Sequence, residues 1–179
     1  MASVSSAPNP VTQVDAYVAS LLDTLGSRNP LAVLAETPPA LRRLTEGVEK
    51  QTLATPEAPG KWSLVQVVQH LADSEIVGAF RFRMTLAHER PPIPGYDQDL
   101  WATRLHYERA EIGAAIEQFT VLRLANIRLL TDITADERAR VGIHAERGEE
   151  SIEKMMKMYA GHDLVHLRQM ARIKVAIGA

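Results

Sequence analysis

His162 and His166 stand four residues apart in the segment Gly161-His-Asp-Leu-Val-His166. On a helix that spacing leaves the two side chains about 40° apart on one face, one turn above the other. Two imidazoles so arranged can grip one transition-metal ion. The same spacing also occurs for two ordinary histidines on a polar face or in a core, and spacing alone leaves both readings open. A third histidine, His70, lies in an otherwise apolar run, Val67-Val-Gln-His-Leu-Ala72. Taken alone it reads as a core histidine with a satisfied ring. One histidine from one helix and a pair from another give three neutral imidazoles with an open fourth position. Catalytic zinc sites use that ligand count, and other divalent ions accept it. Zinc, nickel and iron are the ions expected there.

A metal-bound imidazole donates its other N–H to a nearby acceptor. Gln66 and Asp73 stand on the His70 side, and Asp163 and Gln169 stand close to the pair. Asp163 is rotated about 100° from His162 and is expected to face outward. Met155, Met158 and Tyr159, one turn before the pair, are candidate substrate-binding walls above the metal. They also fit a Met-rich core stripe. The other three histidines read as exposed surface. His88 falls at a helix end, His106 lies off an apolar stripe, and His144 sits in a polar connection.

The elements that must position these residues are helical. Asn9-Pro10 opens a helix whose stripe runs Val11, Val14, Val18, Leu21, Leu22, Leu25 before Gly26 stops it. Asn29-Pro30 and Thr37-Pro38 repeat the start signal and predict two short helices, to about Glu36 and about Lys50. Ser63-Leu-Val-Gln66 is a capping box, with Trp62 and Val67 placed for a hydrophobic staple. It opens a helix to about His88 that is apolar almost all round in its first half, so it is buried on more than one side. A Pro-rich loop, Arg90 to Gly95, follows. A further helix is predicted from about Arg104 to Thr131 on the stripe Leu105, Ile112, Ile116, Phe119, Leu122, Leu129, with Glu108, Arg109, Glu111, Glu117 and Arg128 in solvent. Thr131 to Glu150 is a polar connection with room for a short hairpin. Ser151 caps the last long helix, to about Ile177. Four main helices, at about 10–25, 62–88, 104–131 and 151–177, with short pieces at 30–50, predict an all-α four-helix bundle with roughly antiparallel long helices and additional short helices near the N-terminus. Residues 1–9 read as a flexible tail and 10–179 as one domain.

The chain has 179 residues, 46% of them hydrophobic and 23% charged, with a net charge of −2. That balance suits a soluble globular protein and argues against nucleic acid as a main partner. There is no cysteine, so any metal is held by histidine or carboxylate. No apolar run approaches the ~20 residues of a membrane span, and the first nine residues lack the pattern of a secretory signal. A cytoplasmic enzyme or binding protein is expected.

Four segments together resemble the DinB-like superfamily. They are Lys61-Trp-Ser63, His70-Leu-Ala-Asp-Ser-Glu75, Pro94-Gly-Tyr-Asp-Gln-Asp-Leu-Trp101 and Gly161-His-Asp-Leu-Val-His-Leu-Arg-Gln-Met170. The resemblance spans roughly residues 30–177, and its Trp-Ser/His-Leu-Ala-Asp and His-Asp-x-x-His-x-x-Gln blocks are specific in combination. It implies a four-helix bundle, a homodimer, and a metal on His70, His162 and His166. Its relatives include bacillithiol S-transferases and mycothiol-dependent maleylpyruvate isomerases. It therefore implies transfer of a low-molecular-weight thiol to an electrophilic small molecule. Two other readings stand beside it: hydrolysis with water as the nucleophile, and a non-catalytic metal-binding stress protein. The loop through Gly95, Tyr96 and Asp97 is placed to cover the entrance.

Overall fold

The computed structural model describes residues 10–179, with side chains from Val14 onward. The tail expected at residues 1–9 and the cap expected at Asn9 lie outside the described residues. The elements in chain order are α1 (Pro10–Leu25), α2 (Pro30–Thr45), α3 (Lys50–Leu53), α4 (Leu64–Ala87), β1 (Pro92–Ile93), α5 (Gln98–Arg104), α6 (Ile112–Thr131), α7 (Ala135–Ala139), β2 (Val141–His144), β3 (Gly148–Ser151) and α8 (Ile152–Ala176). Among them no helix is long and apolar enough to cross a membrane.

The bundle is a ring of α2, α6, α4 and α8, each packed on the next, while α1 lies outside the ring against α8. Its fourth member is thus α2, the segment expected as two short pieces, rather than α1. The reason lies at Pro38 and Pro39, which sit inside one continuous helix. Pro38 has no N–H to give the Leu34 carbonyl, a loss that ordinarily breaks a helix. Here the Arg123 guanidinium of α6 donates to that carbonyl at 3.1 Å, so the freed acceptor is satisfied and the helix runs on.

Helix directions follow from which residues meet. Val65 to Ala72 of α4 share a core cluster with Ala115, Ile116 and Phe119 of α6 and with Met170 and Ile173 of α8. Phe82 of α4 shares the next with Leu130 of α6 and with Met155, Met156 and Tyr159 of α8. So α4 and α6 run parallel, and α8 runs against both. Among ring neighbours the expected antiparallel arrangement therefore holds for α4 with α8 and for α2 with α6, because Leu34 lies in the second cluster and Leu41 in the first, and it fails for α4 with α6 and for α2 with α8. Two parallel neighbours need a long return connection, and residues 88–111 supply it.

That connection corrects the helix predicted from Arg104. His106 takes a left-handed conformation with φ of 55°, and Glu111 caps a fresh start by accepting from the Ala114 N–H at 2.8 Å. Tyr107 turns inward to donate to Asp73 at 2.7 Å. Leu105, expected on the apolar stripe, is 57% exposed. The capping box at Ser63 forms as read, Gln66 Oε1 accepting from the Ser63 N–H at 3.0 Å. The hairpin between α7 and α8 also forms. Its strands β2 and β3 pair antiparallel, and β1 from the Pro-rich loop adds in parallel to β2. This small sheet covers one end of α4.

Between the two core clusters lies a belt of buried charge. Arg123 is 2% exposed. It donates to Glu75 of α4 at 2.7 Å and bridges to Asp163 of α8 through a short contact. Asn126 completes Glu75 at 2.8 Å, and Thr37 of α2 completes Asp163 at 2.7 Å. Burial works against the guanidinium's charge, but Asp163 and Glu75 outweigh it and hold Arg123 protonated. Asp163, expected to face outward, is 1% exposed. Removing one partner of such a cluster leaves uncompensated buried charge. Arg123→Ala is therefore expected to cost about 3–5 kcal/mol, read as a fall in the urea midpoint. A loss below about 1 kcal/mol would show that the belt carries little weight.

Candidate metal centre and its cleft

His70 comes from the buried face of α4, and His162 and His166 come from successive turns of α8. Because α4 and α8 are antiparallel neighbours, the three rings meet between them. His70 Nε2 and His166 Nε2 each lie 3.1 Å from His162 Nε2. All three ligand atoms fall within 4.8 Å of one another. His70 is fully buried and His162 is 8% exposed.

Each ring is held neutral. Burial, then the neighbouring His166, lowers His70 to a pKa of about 3. Burial, then His166, His70 and Arg123, pushes His162 well below the usual histidine value. Burial also lowers His166, against the opposing pull of Gln169 and Asp163. His166 Nδ1 meets Gln169 Oε1 at 2.7 Å. That contact assigns the proton to Nδ1 and leaves the Nε2 lone pair facing the other two rings.

Of the four residues expected to support the imidazoles, Gln169 alone reaches one. Gln66 is used in the capping box. Asp73 accepts from Tyr107 and Gln69, and Asp163 is used in the charged belt. His70 Nδ1 and His162 Nδ1 are buried without a protein partner.

The donor set fits a divalent ion. Four-coordinate zinc with Zn–N of ~2.0–2.1 Å sets its nitrogens about 3.3 Å apart, close to the 3.1 Å found here. A single shared proton can serve one neighbour fully, whereas a cation takes all three lone pairs at once.

A cavity of about 340 Å³ opens against His162. Met158 and Tyr159 line it, as do Leu21 of α1 and Tyr96 of the loop expected at the entrance. Met155 does not line it; at 1% exposure it packs in the core. Gly78 lets the Tyr159 ring lie flat on α4, since a Cβ there would stand 2.8 Å from the ring. Burial raises the Tyr159 hydroxyl above the usual tyrosine value, so it stays protonated.

Sequence reasoning missed Ser74, Arg81, His144 and Arg147 on the cavity wall. Helical offset could have found two of them. Ser74 and Arg81 follow His70 by offsets that return to its face within about 40° and 20°. His144 corrects the reading of an exposed surface residue. It is 1% exposed because β2 alternates, turning Gly142 and His144 inward. Burial, then Arg147 and Arg81, lowers His144 to a pKa of about 4. His88 and His106 are exposed.

Two outcomes are expected. His162→Ala and His166→Ala lower the zinc, nickel or iron measured by elemental analysis of untagged protein, while His106→Ala leaves it unchanged. Equal metal content in all three would remove the triad as the site. In metal-free protein, the unfolded chain takes up protons near the ordinary histidine pKa of ~6.5, whereas folded His70 does so only near about 3. Stability is therefore full above neutral pH and falls as pH drops through ~6.5 toward that value. Denaturant midpoints at pH 7 and pH 5 measure it, and a midpoint that rises on acidification contradicts the neutral assignment.

The model of the DinB superfamily matches residues 34–170. Bacillus subtilis YfiT, named as a candidate metal-dependent hydrolase, is 28% identical over 149 residues, covering 83% of this chain and 84% of its own. A protein of Oceanobacillus iheyensis with the same kind of name is 28% identical over 140 residues, covering 78% and 81%. The solved structure of YfiT, described as a four-helix bundle of unusual topology, superposes with a TM-score of 0.76 at 24% identity over 99% of this chain and 94% of that one. With the family model spanning more than half of its length, the chain belongs to the DinB superfamily.

Proposed function

We propose that this chain is a metal-dependent enzyme that transfers a low-molecular-weight thiol to an electrophilic small molecule. The observation that carries the reading is the convergence of three neutral imidazoles beside a cavity sized for a small ligand. His70, His162 and His166 would hold a divalent ion, which would supply the Lewis acidity that makes a thiol nucleophilic near neutral pH.

The chain's own residues do the rest. Gln169 holds the His166 ring in the tautomer that offers Nε2. The belt around Arg123 fixes α8 against α4 and so fixes His162 relative to His70. Met158, Leu21 and Tyr159 give the cavity an apolar wall against which the body of a small substrate can pack. Among the described residues, the buried carboxylates nearest in sequence to the triad are already engaged: Asp73 by Tyr107, Glu75 and Asp163 by Arg123. None of these is free to serve as a general base, and the remaining cavity carboxylate, Glu146, stands solvated at the rim. That favours a nucleophile needing only a modest pKa reduction, and a thiol near ~8.5 needs far less than water.

Hydrolysis is the second reading, favoured by the names of YfiT and its Oceanobacillus counterpart. Monochlorobimane offered to metal-loaded protein with a panel of thiols tests the first. Thiol-dependent turnover is expected, abolished by chelation and lowered at least a hundredfold in His70→Ala. Turnover indifferent to both would overturn it. Hydrolysis of a simple ester with no thiol transfer would establish the second reading instead.

A further inference from the structure

The end of the cavity away from the triad is built around a buried cation. Arg81 is 5% exposed. Its Nε donates to the Pro94 carbonyl at 3.0 Å, and its Nη1 lies 3.4 Å from the Tyr159 hydroxyl. Every partner it has is neutral, and among the described residues it forms no ion pair. Residues 1–13 contain no Asp or Glu, so the undescribed side chains add no countercharge. A buried guanidinium with no anion in contact is costly. The second cation on the wall, Arg147, takes the buried Glu150 through two contacts, one of 3.0 Å; Arg81 acts on that carboxylate only at longer range, so one buried carboxylate serves two guanidinium groups. Glu146 also borders the cavity but is solvent-exposed.

A second observation stands beside that charge. His144 Nδ1 accepts from the Glu146 N–H at 3.2 Å. Taking the better-defined backbone donor as Nδ1's partner assigns the neutral ring's proton to Nε2. That nitrogen lies 3.3 Å from Arg81 Nη2, which is itself a donor. Two donors thus face each other at the cavity wall with no acceptor between them. Gly95 leaves room there, because a Cβ would come within 3.2 Å of the His144 ring.

We propose that Arg81 and His144 form a carboxylate-binding subsite, taking a small organic acid with an apolar body whose other end reaches toward His162. A carboxylate supplies the acceptor that the two facing donors lack, and its single charge offsets the single unpaired charge of Arg81. A phosphate ester would bring a second charge that nothing on this wall balances, with Glu146 opposing it at the rim. Arg81 lies three turns beyond His70, about 16 Å along α4, and its side chain leans back over that span. The acid's carboxylate and its reacting group are therefore well separated, with Met158, Tyr159 and Leu21 against the stretch between them. The subsite stands on Arg81 and His144 alone, whereas the role of the other end rests on the metal-dependent reading above.

Titration calorimetry on the full, zinc-loaded chain tests the inference with 4-phenylbutyrate, hexanoate, 4-phenylbutyramide and phenethyl phosphate. At least one carboxylate is expected to bind tenfold or more tightly than both the amide and the phosphate. Arg81→Gln should abolish that preference and Arg81→Lys should keep part of it. Met158→Trp, which fills the cavity and leaves the Pro94 anchor alone, should block binding even if Arg81→Gln fails to fold. His166→Ala separates the two ideas. Carboxylate preference retained in this variant supports the subsite, and zinc content unchanged by it would undo the metal reading while leaving the subsite intact. Equal binding of acid and amide, or no binding of either acid, would overturn the subsite. So would a preference that vanishes in His166→Ala but survives Arg81→Gln, because the carboxylate would then sit on the metal.

Discussion

One guanidinium holds this bundle in register. Arg123 of α6 reaches the Leu34 carbonyl of α2, Glu75 of α4 and Asp163 of α8, so all four ring helices meet on one side chain. Apolar packing alone tolerates sliding and rotation of helices over several alternatives, because it is not directional. A buried charge does not, since any displacement strands it without partners. The Phe119 ring lies 4.4 Å under the guanidinium and seals it from below. Asp163 follows His162 directly in α8, and Glu75 follows Ser74 of the cavity wall in α4. The contact that registers the helices therefore also registers the three imidazoles and the cleft beside them.

The parts of this arrangement that show in the sequence are those written in local code. The capping box at Ser63 and the Ser151 cap fix helix starts from side-chain hydrogen bonds spanning three residues. The pair His162 and His166 shares a face through helix geometry alone. His70 stood out because a polar ring in an apolar run needs a reason. Long-range compensation does not show in local code. The chain reads Thr37-Pro-Pro39 as a helix restart, and only Arg123, far away on another helix, makes it an interior. Asp163 looked solvent-facing by its angle from His162, yet a surface exists on that side only if no helix packs there, and α2 does.

The cleft was the least legible part for a related reason. Its floor comes from α4 and α8, but one wall comes from a hairpin and a loop paired as strands of two to four residues. Such short strands leave too little alternation to recognise. Gly142, whose added Cβ would meet Thr85 Oγ1 at 2.7 Å, and His144 face inward because the pleat of β2 turns alternate residues toward α4. Arg81 was readable in principle from its offset to His70, but an arginine on a helix is ordinarily solvated. What marks it here is burial, which belongs to the fold as a whole.

The close approach of α1 to α8 has a consequence for how the site holds together. A Cβ on Gly161 would stand 2.2 Å from the Leu21 carbonyl, so the glycine lets the two backbones touch beside His162. α1 packs chiefly on α8, and most of the chain lies between them. This contact is therefore among the most non-local in the fold, and it forms only once the long stretch between the two helices has been drawn together. Leu21 and Tyr17 owe their place on the cavity wall to that contact. That wall of the site carries the loop-closure cost of nearly the whole bundle, so it is the part most readily lost when the bundle loosens.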